Sequence, residues 1–380
     1  MMNTMNLKRA VRVRVEEILE NRKYRQSKAA ANYVKTHNCP ALSKKDVEEI
    51  DQYWASFNIK FEDYDWHRMY YSITGIHDPR FIPQPVAERL IYLHYNRQDF
   101  ICAYADKNRF ADIVPTLEFP KTIAKRVNSR YYDANDKYYG EEISEPYLNT
   151  VYAAMAETGD DTIILKQTVG SSQGKGIQKC EIREIADLKN LLENNKIPDF
   201  AVQTAIRQHR FFRQFNEDSV NIIRINTWRK GNEVFILSPC IRFGVKGSYT
   251  DVAFKNGIEI INCVKIDSCG RIDKHYVTLD GENIPLPDSF ELVVPQWDEI
   301  VRQIKEAALQ LPYFDFIGWD ITVDDRDHVI CIEYNLKWPG TIVYQFAHGP
   351  LAGEKTDDLL AFLKEEQYVR MIPKCVRIKP

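Results

Sequence analysis

No stretch of the 380-residue chain approaches the run of about 20 apolar residues that a bilayer-spanning helix needs, which argues against an integral membrane protein. Met1 to Ala10 carry charge before any apolar run of signal-peptide length, so the expected location is the cytoplasm. The eight cysteines (Cys39, Cys102, Cys180, Cys240, Cys263, Cys269, Cys331 and Cys375) form no CxxC or Cys/His spacing. That lack excludes a disulfide framework and a zinc knuckle, and the thiols are expected to be reduced. Cys331 follows Val329 and Ile330 in an apolar strand and reads as core, not as a nucleophile. A basic excess is also missing: Lys plus Arg total 51 against 54 for Asp plus Glu, so a dedicated nucleic-acid binder is not expected. There is no internal repeat, no low-complexity tract and no Walker P-loop.

What remains is an ordinary globular composition, 44% hydrophobic and 28% charged, on a chain long enough for two or three subdomains. The first hundred residues read mainly as helix. Leu7, Val11, Val15 and Ile18 share one face, and Ser43 caps a second run through Val47, Ile50 and Trp54. The segment Met1 to Lys28 carries eight basic and three acidic residues, which suits a solvated face or a peripheral contact with a membrane or anionic polymer. From about Asp106 short β-rich runs take over: Thr162 to Gln167, Ile177 to Ile182, Ala201 to Ile206, Val220 to Trp228 and Val234 to Phe243. A helix, Ile185 to Glu193, interrupts them. Strands at hairpin spacing with few crossover helices predict α+β lobes around antiparallel sheets. The expected organisation is a mainly helical lobe over 1–105, a lobe with a glycine-rich flap over 106–205, and a C-terminal lobe over 206–380.

Three segments carry the chemistry. In the first, Ile317 to Val323 and Val329 to Asn335 alternate on either side of a polar turn, the pattern of a β-hairpin. Glu333 and Asn335 then share a strand face about 7 Å apart. With the turn centred on Arg326 and Asp327, Asp320 faces Glu333 at about 5 Å between Cβ atoms. Two carboxylates that close repel unless a cation neutralises them, and hard oxygen donors suit Mg²⁺. The alternative is a solvated polar sheet face. On the cation reading, Glu333→Gln relieves repulsion, so it is expected to abolish the metal site while keeping or slightly raising thermal stability.

In the second segment a strand ending in Lys166 leads into Thr168-Val169-Gly170-Ser171-Ser172-Gln173-Gly174-Lys175-Gly176. Its glycines and serines let backbone N–H groups approach anionic oxygens, so Gly170, Ser171, Ser172, Gly174 and Gly176 are candidates for a phosphate flap, with a plain hairpin tip as the alternative. A lysine in an apolar strand costs desolvation unless an anion meets it, which makes Lys166 a candidate phosphate contact. The third segment, Phe200 to His209, is a short apolar strand with a polar end and says little alone.

In this order the segments resemble the ATP-grasp superfamily, in which two α+β lobes hold ATP between antiparallel sheets. The resemblance implies that Lys107 and Lys166 meet ATP phosphates, that Gln203, Thr204, Ala205 and Ile206 hold adenine with His209 nearby, and that Asp320, Glu333 and Asn335 bind Mg²⁺, or Mn²⁺ in its place. The separation of Asp320 from Glu333 is similar to that in D-alanine ligases. A narrower resemblance, to the sugar-transfer-associated ATP-grasp branch of bacterial surface-polysaccharide loci, rests on Asp106 to Phe110, Arg130 to Asp133, Ser219 to Arg224 and Ile241 to Gly244. It covers roughly 78–340.

The resemblance implies an ATP-dependent ligase: a small-molecule or glycan-linked carboxylate, for example a uronic acid, forms an acylphosphate that an amine then attacks. Gly318 departs from the amino-acid ligases, which often carry an arginine there, and Arg224 or Arg242 is expected to take its duty. Arg242 and Asp251 are expected to face the carboxylate or the amine, or else to form a surface ion pair. Trp338 is placed to border the acceptor pocket or simply to pack. An ATP-grasp phosphotransferase acting on a sugar or other acceptor, and a non-catalytic nucleotide- or glycan-binding module, are the alternatives. Oligomeric state is not legible.

Overall fold

The clearest local signal, Ser43, forms the cap its sequence predicts. Its Oγ accepts from the Asp46 backbone N–H (3.1 Å), and the Asp46 carboxylate accepts from the Ser43 N–H (3.0 Å), starting the helix Lys44–Ala55. One turn apart on that helix, Ile50 and Trp54 are fully buried. The computed structural model describes residues 29–170, 176–248, 250–255 and 258–365. The N-terminal segment 1–28, with its expected amphipathic helix, lies outside the described residues.

The chain divides into two compact units, 1–95 with 340–380, and 96–339. This differs from the expected three lobes, because 340–380 joins the helical unit instead of ending the last lobe. The buried Gln345, on the helix Ile342–His348, is one reason. Its Oε1 accepts from the Ile82 N–H (2.8 Å) while its Nε2 donates to the Tyr70 hydroxyl (3.0 Å) and the Ile82 carbonyl (2.9 Å). Such a buried amide is costly to leave unsatisfied, so the C-terminal helix is tied to the N-terminal ones. Around it pack aromatic rings, with Tyr70 stacked on Phe81 at 4.8 Å.

The second unit is built on two antiparallel sheets. The first uses β1 (Thr122–Val127), β2 (Arg130–Asp133), β3 (Tyr138–Gly140), β4 (Thr162–Gln167), β5 (Ile177–Glu181) and β6 (Phe200–Thr204) in the order β3-β2-β1-β6-β4-β5. The chain then enters β7 (Ile222–Lys230) and β8 (Glu233–Phe243), and a two-stranded ribbon of β9 (Ala253–Lys255) and β10 (Ile258–Ile260) follows. With β11 (Asn262–Lys265), β12 (His275–Thr278), β13 (Asn283–Pro285), β14 (Phe316–Val323) and β15 (Val329–Asn335), the larger sheet runs β13-β12-β11-β8-β7-β14-β15. Every pairing in both sheets is antiparallel.

Each sheet buries one face under helices. Tyr147, Leu148, Val151 and Met155 of the helix Glu145–Ala156, with Leu188 and Leu192 of Ile185–Asn194, pack with Ile163, Leu165 and Val202. On the larger sheet, the helix Trp297–Leu309 buries Trp297, Ile300, Ile304, Ala307 and Ala308, one stripe at helical spacing, in a core with Ile223, Ile225, Ile241, Trp319 and Ile321. Cys331 lies in that core, fully buried. Because strand side chains alternate, the residues between these apolar ones are all committed to the opposite faces.

Candidate active site

Those opposite faces line a cavity of about 450 Å³. On the smaller sheet the alternation that buries Ile163 and Leu165 turns Ile164 and Lys166 to the cavity, with Ile177 and Lys179 beside them on β5 and Gln203 on β6. On the larger sheet Asp320 of β14 pairs with Glu333 of β15 on one side and with Arg224 of β7 on the other. Gly318 pairs with Asn335, and Ile222 pairs with Arg242 of β8. A row of charge therefore crosses four strands on one face.

The hairpin reaches this register by a route the sequence did not show. Val323 pairs with Val329, so the turn centres on Arg326 alone, and a bulge between Asp320 and Ile321 leaves Ile332 as the extra residue. The bulge restores the pairing of Asp320 with Glu333 that a turn centred between Arg326 and Asp327 would have given directly.

The two carboxylates do not simply repel each other, which corrects the expectation for Glu333. Arg224 Nε and Nη2 donate to both oxygens of Asp320 (2.9 Å for Nη2 to Oδ2), and its Nη1 donates to the Pro339 carbonyl (2.7 Å). Asn335 Nδ2 donates to Asp320 Oδ2 (3.2 Å). Glu333 Oε2 pairs with Lys107 Nζ at 2.8 Å. Burial pushes the Asp320 carboxyl up, and Arg224 pulls it back. Burial acts the same way on Glu333, but Lys107, then Lys166 and Arg224, outweigh it and hold Glu333 down to about 2.

Lys107 is placed by its neighbours. Asp106 accepts from the Asn108 N–H (3.0 Å), capping a short turn, and Asn108 Nδ2 donates to Thr168 Oγ1 (3.1 Å) at the end of β4. Lys166 is buried, and burial first and then Lys107 lower its pKa from 10.5 to about 8. Past Lys166, Gly170 and Gly176 both adopt positive φ, +68° and +76°. Ser171, Ser172 and Gly174 between them lie outside the described residues.

Thr204, Ala205 and Ile206 line the cavity with Gln203, where the chain crosses from β6 toward the larger sheet. The crossing is fixed by Gln208, whose Nε2 donates to the Asn221 carbonyl and Thr322 Oγ1 (2.5 and 2.6 Å). His209 is not among the lining residues. Its Nδ1 accepts from the Phe211 N–H (3.1 Å) and so caps the helix Arg210–Arg213. Arg242 pairs with Asp251, Nη2 to Oδ2 2.6 Å, and of the two only Asp251 lines the cavity.

Sequence reading missed Lys179, Arg207, Arg213, Glu217 and Asp218, which also line the cavity. Strand alternation from Ile177 was enough to find Lys179, but Arg207, Glu217 and Asp218 sit on connections with no period and Arg213 ends a helix of one turn.

Among the described residues, no group of three or more His, Cys, Asp and Glu side chains is arranged to hold a metal ion. The donor set is instead two carboxylates and one amide, Asp320, Glu333 and Asn335. These are hard oxygen donors that suit Mg²⁺ or Mn²⁺, and too few to complete six-fold coordination without oxygens from a ligand. Their oxygens are of the kind an ion shared with phosphates takes, although here both Asp320 oxygens accept from Arg224 and Glu333 pairs with Lys107. Among the described residues no helix is long and apolar enough to cross a membrane.

The family described as sugar-transfer associated ATP-grasp matches residues 87–359. Among solved structures the chain is similar to the ATP-grasp ligase PsnB complexed with minimal precursor, Mg and ADP (16% identity, 71% of this chain, 62% of that chain, TM-score 0.38). It is similar to D-alanyl-alanine synthetase A from Vibrio cholerae O1 biovar eltor (9% identity, 68% and 64%, TM-score 0.38). A third is the ADP complex of N5-carboxyaminoimidazole ribonucleotide synthetase (11% identity, 65% and 46%, TM-score 0.36). The chain spans less than two thirds of the length of each. No curated protein sequence matches it.

Proposed function

This chain belongs to the sugar-transfer associated ATP-grasp family, and we propose that it is an ATP-dependent ligase joining a carboxylate to an amine through an acylphosphate. The observation that carries the reading is one cavity lined by Lys107 and Lys166 together with Asp320 and Glu333, with the Gln203–Ile206 crossing on its wall. Cations for phosphate oxygens and oxygen donors for a divalent ion thus meet in one volume.

In this reading Lys107 and Lys166 bind the nucleotide phosphates, and backbone groups of Gln203 to Ile206 hold adenine. Gly170 and Gly176 flank the segment with Ser171, Ser172 and Gly174 that is proposed to meet the phosphates; His209 acts only by fixing the helix beside the crossing. Asp320, Glu333 and Asn335 hold Mg²⁺, which when bound neutralises phosphate charge. A carboxylate oxygen of the substrate attacks the γ-phosphorus and ADP leaves; the amine nitrogen then forms the C–N bond as the acyl C–O bond breaks and phosphate departs. Positioning and electrostatics do the catalysis, so no protein nucleophile is required. Arg224, which is not among the cavity-lining residues and donates to Asp320 and the Pro339 carbonyl, acts in this reading by orienting Asp320. A Cβ at Gly318 would lie 3.1 Å from Pro339 Cα and from Asn226 Oδ1, so a longer side chain there would require its neighbours to give by a few tenths of an ångström.

The family's sugar-transfer association favours a sugar acid, free or glycan-linked, as the carboxylate, within surface-polysaccharide biosynthesis. The test is mass spectrometry of products from ATP, Mg²⁺ and crossed pools of uronic acids and amino compounds. A product equal to acid plus amine less water, formed with ADP, supports ligation; a phosphorylated acceptor with no amide overturns it.

A further inference from the structure

Beyond the end of β8 the chain doubles back in a way its sequence permits at one residue. A Cβ on Gly244 would lie 2.1 Å from the Thr250 carbonyl oxygen, so only glycine lets the segment fold so closely onto itself. Side chains from a neighbouring loop latch the return: Asn216 Nδ2 donates to the Val245 carbonyl (2.9 Å), and the Gly247 N–H donates to Asp218 Oδ2 (2.8 Å). The result sets Asp251 over Arg242, with side chains 21% and 8% exposed.

The order of the pair matters. Arg242 stands on the sheet and is not among the lining residues, whereas Asp251 lies between it and the cavity. The Arg242 guanidinium approaches Asp251 Oδ2 at 2.6 Å as an ion pair, and Asp251 Oδ2 is buried without a hydrogen-bond partner among the described residues. Glu217 and Asp218 also line the cavity, as do Arg207 and Arg213, while Lys107, Lys166 and Lys179 are contributed by the short turn at 107–109 and by β4 and β5. The three lysines are suited to phosphate, and Asp251 stands with Glu217 and Asp218 among the acids that suit a cation.

We infer that Asp251, oriented by Arg242 and by the Gly244 turn, is the docking carboxylate for the incoming amine in its ammonium form, an assignment that rests on the ligase reading. A partly desolvated carboxylate held in place by a guanidinium binds a primary ammonium by a charge-assisted hydrogen bond, which an uncharged acceptor cannot match. The substrate class it selects is a cationic primary amine, not a hydroxyl; the docked ammonium releases one proton to solvent before its nitrogen attacks the acyl carbon.

The test is a competition for one acylphosphate. The full chain is incubated with ATP, Mg²⁺, a pool of uronic acids, hydroxylamine, which is uncharged at neutral pH, and an equimolar pool of ethanolamine, glycine and lysine. The amide-to-hydroxamate ratio reads only the acceptor step and does not depend on how much of a variant is folded. Asp251→Asn is expected to lower the ratio about tenfold or more, the loss of one charge-assisted contact. Gly244→Ala keeps the carboxylate but displaces it, and is expected to lower the ratio likewise, while Asp251→Glu restores most of it. A ratio unchanged in Asp251→Asn overturns the assignment and leaves the ligase reading standing. Absence of both products from the unaltered chain overturns both.

Discussion

Replacing Lys166 by methionine separates function from stability in a single residue. The side chain is 7% exposed, and burial, then Lys107, lower its pKa from 10.5 to about 8. At about 1.4 kcal/mol for each tenfold change in proton affinity, that fall disfavours the buried ammonium by about 3 kcal/mol. The sign is set by which state keeps the proton. Between pH 8 and 10.5 the unfolded chain holds a proton that the folded chain has lost, so stability rises with pH through that window, and below about 8 the whole penalty stands. Methionine keeps the length without the charge. Lys166→Met is therefore expected to raise stability at pH 7 by up to about 3 kcal/mol and to flatten the rise above pH 8. The same change removes a charge-assisted phosphate contact, weakening Mg·ATP binding by about 1.5–3 kcal/mol, roughly ten- to more than a hundredfold. Urea unfolding at pH 7 and pH 9.5, paired with calorimetric titration of Mg·ATP, measures both. Lower stability at pH 7 in the variant, or unaltered nucleotide affinity, refutes the reasoning.

Three other substitutions have definite expected outcomes. Asp320→Asn strands the buried Arg224 guanidinium, so it is expected to cost about 3 kcal/mol or more in chemical unfolding, as well as ATP turnover over a Mg²⁺ titration. Glu333 is depressed from 4.5 to about 2, so its contribution is present above pH 4.5 and lost as pH falls toward 2. Glu333→Gln should accordingly lower the melting temperature at pH 7 and flatten its decline between pH 4.5 and 2.5; an unchanged or higher melting temperature contradicts the Lys107 pairing. Gly176→Ala forces a side chain to positive φ and sets its Cβ 2.9 Å from Gln167 Cβ, so it should destabilise by at least about 1 kcal/mol in the same unfolding assay.

Much of the second unit was legible because strand alternation is a strong local code. The runs read as strands at 162–167, 177–182, 201–206, 220–228 and 234–243 coincide with β4 to β8 to within two residues. Asp320 facing Glu333 was legible too, but the assumed turn was not the real one, since a bulge leaves no mark on the apolar pattern. The partners of the carboxylates were hidden for a different reason. Arg224 and Lys107 reach them through pairings distant in sequence, and nothing local to Glu333 announces a lysine, so repulsion, which Asp320 does feel from Glu333, was read without the cations that oppose it. His209 shows the converse: a histidine beside the segment proposed to hold adenine invites a ligand role, while its ring serves as a helix cap. The division at 339/340 depends on Gln345 meeting Ile82 and Tyr70, a long-range contact that composition cannot supply.

The central claim, an acylphosphate on the way to an amide, is tested most directly by following oxygen. With the substrate carboxylate labelled in both oxygens with ¹⁸O, ATP, Mg²⁺ and the amine, ligation by this route transfers one label to inorganic phosphate and leaves the amide with the other. Phosphate carrying one ¹⁸O for each amide formed is the predicted result. Unlabelled phosphate, or a stable phosphorylated acceptor that keeps the transferred group, contradicts the account.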